Sequence, residues 1–260
     1  MGVGYTLAVT RRPPRSERGW FVTLEGPEGA GKTTQARLLR DAFQAAGRPV
    51  LLVREPGGTA LGEAIRSLLL DVPGRGDGAP ISPRADALLF NAARAQLVAE
   101  QIEPALERGV TVICCRFADS TLAYQGYGMD LALADLSALE RFATSGLRPD
   151  LTILIDLPVE LGLARKRGLE ETRFEASFDV TFHARVRDGF LALAAGQPDR
   201  FVTLDGRRSV NEVADAALRA VVTRLGPIGS ATAGADRSPG ERRARDAGNE
   251  PNGRPVRMTR

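Results

Sequence analysis

The eight residues GPEGAGKT, Gly26 to Thr33, constrain this chain more than any other stretch. They follow an apolar run, WFVTLE, and lead into a segment of helical periodicity, TTQARLLRDAFQAA. The pattern G-x-x-x-x-G-K-[ST] between a strand and a helix folds the backbone into a nest of N–H groups around phosphate oxygens, aided by the helix dipole. Gly26, Pro27, Glu28, Gly29, Ala30 and Gly31 form that nest here, with Thr34 following in the helix. Lys32 is placed to reach the transferring phosphates, and the Thr33 hydroxyl to ligate Mg2+ on the nucleotide. An ordinary glycine-rich turn is the bland alternative, but flanking elements of the right kind on both sides favour nucleoside triphosphate binding.

The rest of the chain alternates short apolar runs with longer helical patterns. Strands are predicted at 20–24, 50–53, 110–115, 151–155 and 201–204. They are continuous rather than alternating, as expected of strands buried on both faces. Helices are predicted at about 32–46, 60–70, 83–108, 133–145, 158–168, 177–195 and 209–224. Ser82-Pro83 supplies an N-cap and a first-turn proline, Ser209 to Glu212 a capping box, and Pro104 a kink in the long third helix. This order implies an α/β fold: a five-stranded parallel sheet with helices on both faces and ligands at the carboxyl ends of the strands.

Charge and composition bound the ends. Residues 1–18 carry four Arg and one Glu, and residues 227–260 seven Arg against four acids, leaving 19–226 at net −3. The basic balance therefore belongs to the tails. The segment from Pro227 onward has few large apolar residues, which favours a disordered basic tail over a nucleic-acid-binding one. Residues 1–18 read as a flexible extension and 19–226 as the single folded domain. Two cysteines fit a reducing, cytoplasmic setting, and no apolar run approaches membrane-spanning length. The single histidine, His183, excludes multi-histidine metal sites within one chain.

Several further runs appear in a fixed order: LEGPEGAGKTTQA, REPGGT, LLFNAARAQLV, RFADSTLAYQG, LRPDLTILIDLP and RFEASFDVTFHARVRDGF. Together they resemble the bacterial thymidylate kinases over about residues 19–225. The resemblance implies a P-loop fold of the nucleoside monophosphate kinase type with a mobile lid, transfer of the γ-phosphate of ATP to dTMP with Mg2+, and a homodimer.

It also implies roles for particular residues. Phe90 and Arg94 share one helix face, the first to stack on thymine and the second to hydrogen-bond it. Read alone, Phe90 in DALLF is core; Arg94 on the same face tips it toward the site. Ser120, Thr121, Tyr124 and Gln125 form the wall beside the deoxyribose and base. Arg116 and Arg54, each at a strand's carboxyl end, clamp the acceptor phosphate, and Glu28 sits near the acceptor sugar. The loop PEGA lacks arginine, so added cations are expected from a lid at about 165–176, with Arg165 and Arg167 toward ATP and Arg173 as the principal lid cation. His183 reads as structural, and Leu204 to Gly206 as the neighbourhood of the adenine pocket.

One departure stands out. The family pattern has Asp-Arg where this chain has Cys115-Arg116. A thiol is a poor ligand for a hard cation, so catalysis is expected to rest on Thr33, Glu28 and Asp119 or Asp156, at a reduced rate. Neighbours on a strand face opposite ways, so Cys114 and Cys115 cannot jointly clasp a metal. Three other readings compete. Another monophosphate kinase shares the machinery, a deoxynucleoside kinase conflicts with a phosphate clamp at Arg116, and a nucleotide-binding protein impaired by Cys115 would bind ATP without turnover.

Overall fold

The computed structural model describes residues 18–70, 81–167 and 172–228. Five strands, β1 (Phe21–Glu25), β2 (Val50–Arg54), β3 (Thr111–Cys115), β4 (Leu151–Asp156) and β5 (Phe201–Asp205), form one sheet in the order β2-β3-β1-β4-β5. Every pairing is parallel. The helices are α1 (Lys32–Ala45), α2 (Ala60–Leu70), α3 (Pro83–Leu97), α4 (Glu103–Glu107), α5 (Ala118–Thr121), α6 (Leu133–Ala143), α7 (Val159–Lys166), α8 (Arg173–Ser177), α9 (Val180–Gly196) and α10 (Val210–Leu225).

Strand alternation divides the core into two layers. Val22, Leu24, Ile113, Ile153 and Ile155 pack against Leu39 and Phe43 of α1 and Val213 and Val221 of α10. On the opposite face, Phe21, Val112 and Cys114 meet Leu97, Ile102 and Leu106 from the α3–α4 region. Tyr124, Leu154, Phe182, Val186 and Phe190 extend that second layer over β4. Cys114 is therefore a buried member of one layer, while Cys115 opens toward the other face.

The predicted caps are present: Ser82 Oγ accepts from the Ala85 N–H, and Ser209 and Glu212 complete a reciprocal capping box. The predicted third helix, 83–108, is broken. It passes through a π-helical turn, Val98–Ile102, before α4. Pro104 has no N–H and its ring crowds the carbonyl four residues back, and the wider turn accommodates both. Two elements were not anticipated. One is α5 with the π-helical run Leu122–Gly128 that continues it; the other is α8, inside the segment assigned to the lid.

Composition placed the domain edges one or two residues too far in. Arg18 forms a bidentate pair with the buried Asp150, and Ile228 is buried in the α1/α10 layer. The remaining tail positions, 1–17 and 229–260, and lid positions 168–171 lie outside the described residues.

Candidate functional site

A cleft of about 560 Å3 opens at the carboxyl ends of the strands, where the fold class places ligands. Its floor is the glycine loop between β1 and α1. Gly29 has φ +69, and a Cβ there would lie 2.1 Å from the Gly162 carbonyl oxygen of α7. A Cβ on Gly162 would in turn lie 2.2 Å from the carbonyl oxygen of Glu28. Loop and helix thus touch backbone to backbone, which only the glycine pair permits. Lys32 Nζ donates to the carbonyls of Gly26 (2.9 Å) and Pro27 (2.7 Å). Burial pushes the Lys32 ammonium down to about 8, with Arg116 adding to this and Glu28 opposing it. Gly29, Gly31, Lys32, Thr33 and Thr34 face the cleft, while Ala30 is buried behind it.

The far wall is organised by Arg116. Its Nη2 donates to Glu28 Oε1 at 2.5 Å and to the Tyr124 hydroxyl at 3.0 Å; its Nη1 reaches Ser120 Oγ at 3.3 Å. Tyr124 in turn donates to Glu28 Oε1 at 2.8 Å. Burial alone would raise the Glu28 carboxyl, but Arg116, Lys32 and the Tyr124 hydroxyl outweigh it and hold the group at about 2. Glu28 is therefore an anion at any working pH, linking the glycine loop to the Arg116–Tyr124 wall.

Phe90, Ser120, Thr121, Tyr124 and Gln125 also line the cleft, joined by Phe174 of α8. The Phe174 ring stands 6.1 Å from Phe90 and 5.3 Å from Tyr124, centroid to centroid. Arg54 lines the cleft while pairing with Glu63 at 3.2 Å. Arg165 lines it too, donating to the Gly206 carbonyl at 3.1 Å. That contact joins the lid-proximal helix to the end of β5. His183 is buried, with Nε2 3.1 Å from the Phe174 carbonyl, in keeping with a structural role.

Three arginines expected in the site stand elsewhere. Arg94 is 1% exposed and turned inward, hydrogen-bonded to Glu55, Asn91, Thr121 and the Phe117 carbonyl. In this arrangement it braces the wall from behind. Arg173 does not line the cleft: its guanidinium is ion-paired with Asp86, which is fully buried near the start of α3 and also accepts from Gln125 at 2.8 Å. Burial raises the Asp86 carboxyl, against the pull of Arg173. Arg167, just past α7, is exposed and outside the cleft wall.

The carboxylates expected to stand in for the missing acid are also committed. Asp119 makes a two-pronged pair with Arg200 (2.7 and 2.8 Å), and Asp156 one with Arg187 (2.7 and 2.8 Å). Cys115 itself faces the loop, its Sγ 3.8 Å from Thr33 Oγ1. Among the described residues, no three His, Cys, Asp or Glu side chains converge to hold a metal ion.

Sequence reasoning missed Arg37 and Arg66, which line the cleft, and the buried acids Glu25 and Glu55. Glu25 was legible only as the acid immediately before the glycine loop. Arg66 had no signal beyond its place on an amphipathic helix.

Comparison with known proteins accords with this geometry. The family model described as thymidylate kinase matches residues 24–217. The chain is 47% identical over 221 residues to the thymidylate kinase of Geobacter sp. (strain M21), covering 81% of this chain and 96% of that protein. It is 49% identical over 211 residues to the one from Deinococcus radiodurans, covering 80% and 98%. A crystal structure of thymidylate kinase from Ehrlichia chaffeensis superposes with a TM-score of 0.64 at 31% identity, over 78% of this chain and 98% of that one. A glycine loop carrying Lys32 and Thr33, a strand-end arginine opposite it, and identity of this extent along the domain make the chain a member of the thymidylate kinase family.

Proposed function

We propose that this protein transfers the γ-phosphoryl group of MgATP to dTMP, giving dTDP and ADP. The observation that carries the reading is the Lys32–Glu28–Arg116–Tyr124 cluster, which joins a triphosphate-binding loop to an arginine at the end of β3 across one cleft. Phosphoryl transfer needs alignment and charge neutralisation more than covalent chemistry, and this cleft supplies both. The glycine-loop amides and Lys32 hold the donor phosphates. Arg116, with Arg54 and Arg66 on the same side, receives the acceptor phosphate in line with them. Phe90 and Tyr124 offer flat apolar surface to a base, and Gln125 and Thr121 offer polar edges.

Magnesium enters with the triphosphate as part of the substrate. The Thr33 hydroxyl fits it as an oxygen ligand; the neighbouring Cys115 thiol does not. The ion supplies charge neutralisation on the donor phosphates, and the chain contributes one hydroxyl to it rather than a carboxylate cage.

A homodimer accompanies this function. Leu61 and Leu68 on α2, Leu88 on α3 and Phe142 on α6 are exposed apolar side chains on neighbouring helices, with Phe142 86% exposed. Exposed apolar side chains on neighbouring helices support self-association. Two free cysteines suit a reducing cytoplasm, and no described helix is long and apolar enough to cross a membrane.

The test is ADP release on mixing protein, MgATP and each of dTMP, dUMP, AMP, CMP and GMP. Release with dTMP well above the others is expected. Binding of ATP with no release on any acceptor would refute the reading, and preference for a purine acceptor would replace it.

A further inference from the structure

Arg116 has φ +68, a left-handed conformation that a non-glycine residue adopts only when its surroundings impose it. Its own N–H is fixed to the Leu24 carbonyl at 3.0 Å, which leaves the following residues to set the turn. There a single side chain takes hold. Glu25, the last residue of β1, accepts from the Phe117 N–H through Oε1 at 2.7 Å and from Ser120 Oγ through Oε2 at 2.6 Å. Glu25 is fully buried and does not line the cleft. Ser120 Oγ is also an acceptor for Arg116 Nη1, so one carboxylate oxygen orients the hydroxyl that meets the guanidinium.

We propose that Glu25 is a positioning residue for the phosphoryl acceptor, its ionised carboxylate pinning the turn that aims Arg116 across the cleft. The inference deepens the proposed reaction and rests on it. Wild-type inactivity toward dTMP would fail that reading, whereas differences among variants bear on Glu25 alone.

The carboxylate is electrostatically poised. Burial, and next the charge of Asp119 on α5, raise it to about 7, against the Ser120 and Phe117 hydrogen bonds and the nearby Arg116. The other ionisable groups that face it are Lys32 of α1, Cys114 of β3, Arg94 of α3 and Glu140 of α6. Protonation replaces an acceptor with a donor and removes the charge from both bonds. Use of the acceptor should therefore fall as pH drops through about 7, while use of ATP should not.

The experiment measures kcat and KM for dTMP and for MgATP from roughly pH 5.5 to 9. The acceptor phosphate itself ionises near about pH 6, so limbs are compared between variants rather than read alone. For Glu25→Gln at about pH 8, kcat/KM for dTMP should drop about tenfold to a hundredfold, with KM for MgATP within about twofold. The acid limb near pH 7 should also vanish. Unchanged dTMP kinetics, an equal loss on both substrates, or a persisting limb overturns the proposal. Ser120→Ala decides the matter even should Glu25→Gln fail to fold. Without the hydroxyl that favours its charged form, Glu25 ionises at higher pH, so the limb must move upward. An unmoved limb overturns the proposal.

Discussion

Thr33 Oγ1 and Cys115 Sγ lie 3.8 Å apart, at the point where the donor loop meets the end of β3. The side chain beside the threonine hydroxyl there is a thiol rather than a carboxylate. Cys115→Asp supplies a hard oxygen ligand or a partner for the ion's waters. It should raise kcat by about tenfold and lower the Mg2+ concentration for half-maximal rate, the scale on which outer ligands act. Steady-state kinetics across a magnesium titration check this. No gain in a variant with unchanged circular dichroism would refute it, more so because Asp119 and Asp156 are already paired with arginines.

Glu28 gives a pH-dependent contribution to stability. Its carboxyl is depressed from 4.5 to about 2, burial being outweighed by Arg116, Lys32 and Tyr124. A depressed acid stabilises fully above its unfolded value and loses that contribution as pH falls through the folded one. Glu28→Gln should thus melt below the wild type near neutral pH, with a gap that narrows between 4.5 and about 2. Thermal melts at about pH 7 and about pH 3 test it; a constant gap would contradict the assignment.

Arg173 and Asp86 form an ion pair with side chains 7% and 0% exposed. Removing one partner strands a buried charge, at a cost of about 3–5 kcal/mol. Arg173→Ala should lower the melting temperature markedly, and the double variant with Asp86→Ala should regain part of the loss. A large fall in kcat with an unchanged melting temperature would instead return Arg173 to the chemistry.

The apolar face on α2, α3 and α6 predicts assembly. Phe142→Arg places a charge at its most exposed point and should shift sedimentation from a two-chain to a one-chain mass. An unchanged two-chain mass would move the interface elsewhere.

All five strands were legible as continuous β-rich runs, each matched within a residue or two at its ends. Burial on both faces holds for β1, β3 and β4, while the edge strands β2 and β5 are partly exposed. The glycine loop was legible because its spacing carries its mechanism. What stayed hidden was the buried wiring. Arg94 looked like a base-binding donor from its helix face, yet Glu55, 39 residues away, claims it. Arg173 looked like a lid cation, yet its partner lies 87 residues away. Pairings across such separations depend on how helices pack, which local pattern does not encode. The run from Ala118 to Gly128 carries no local signal for its π-helical winding and packs against α9.

The backbone contact between Gly29 and Gly162 carries a consequence for how the two halves of the site can vary. With no side chain between them, the phosphate loop and α7 behave as a bare bearing, and Arg165 rides three residues beyond it. A methyl group on either surface would wedge the loop from the helix and swing that arginine off the Gly206 carbonyl, so one alanine at position 162 would be felt both at the glycine loop and at the end of β5.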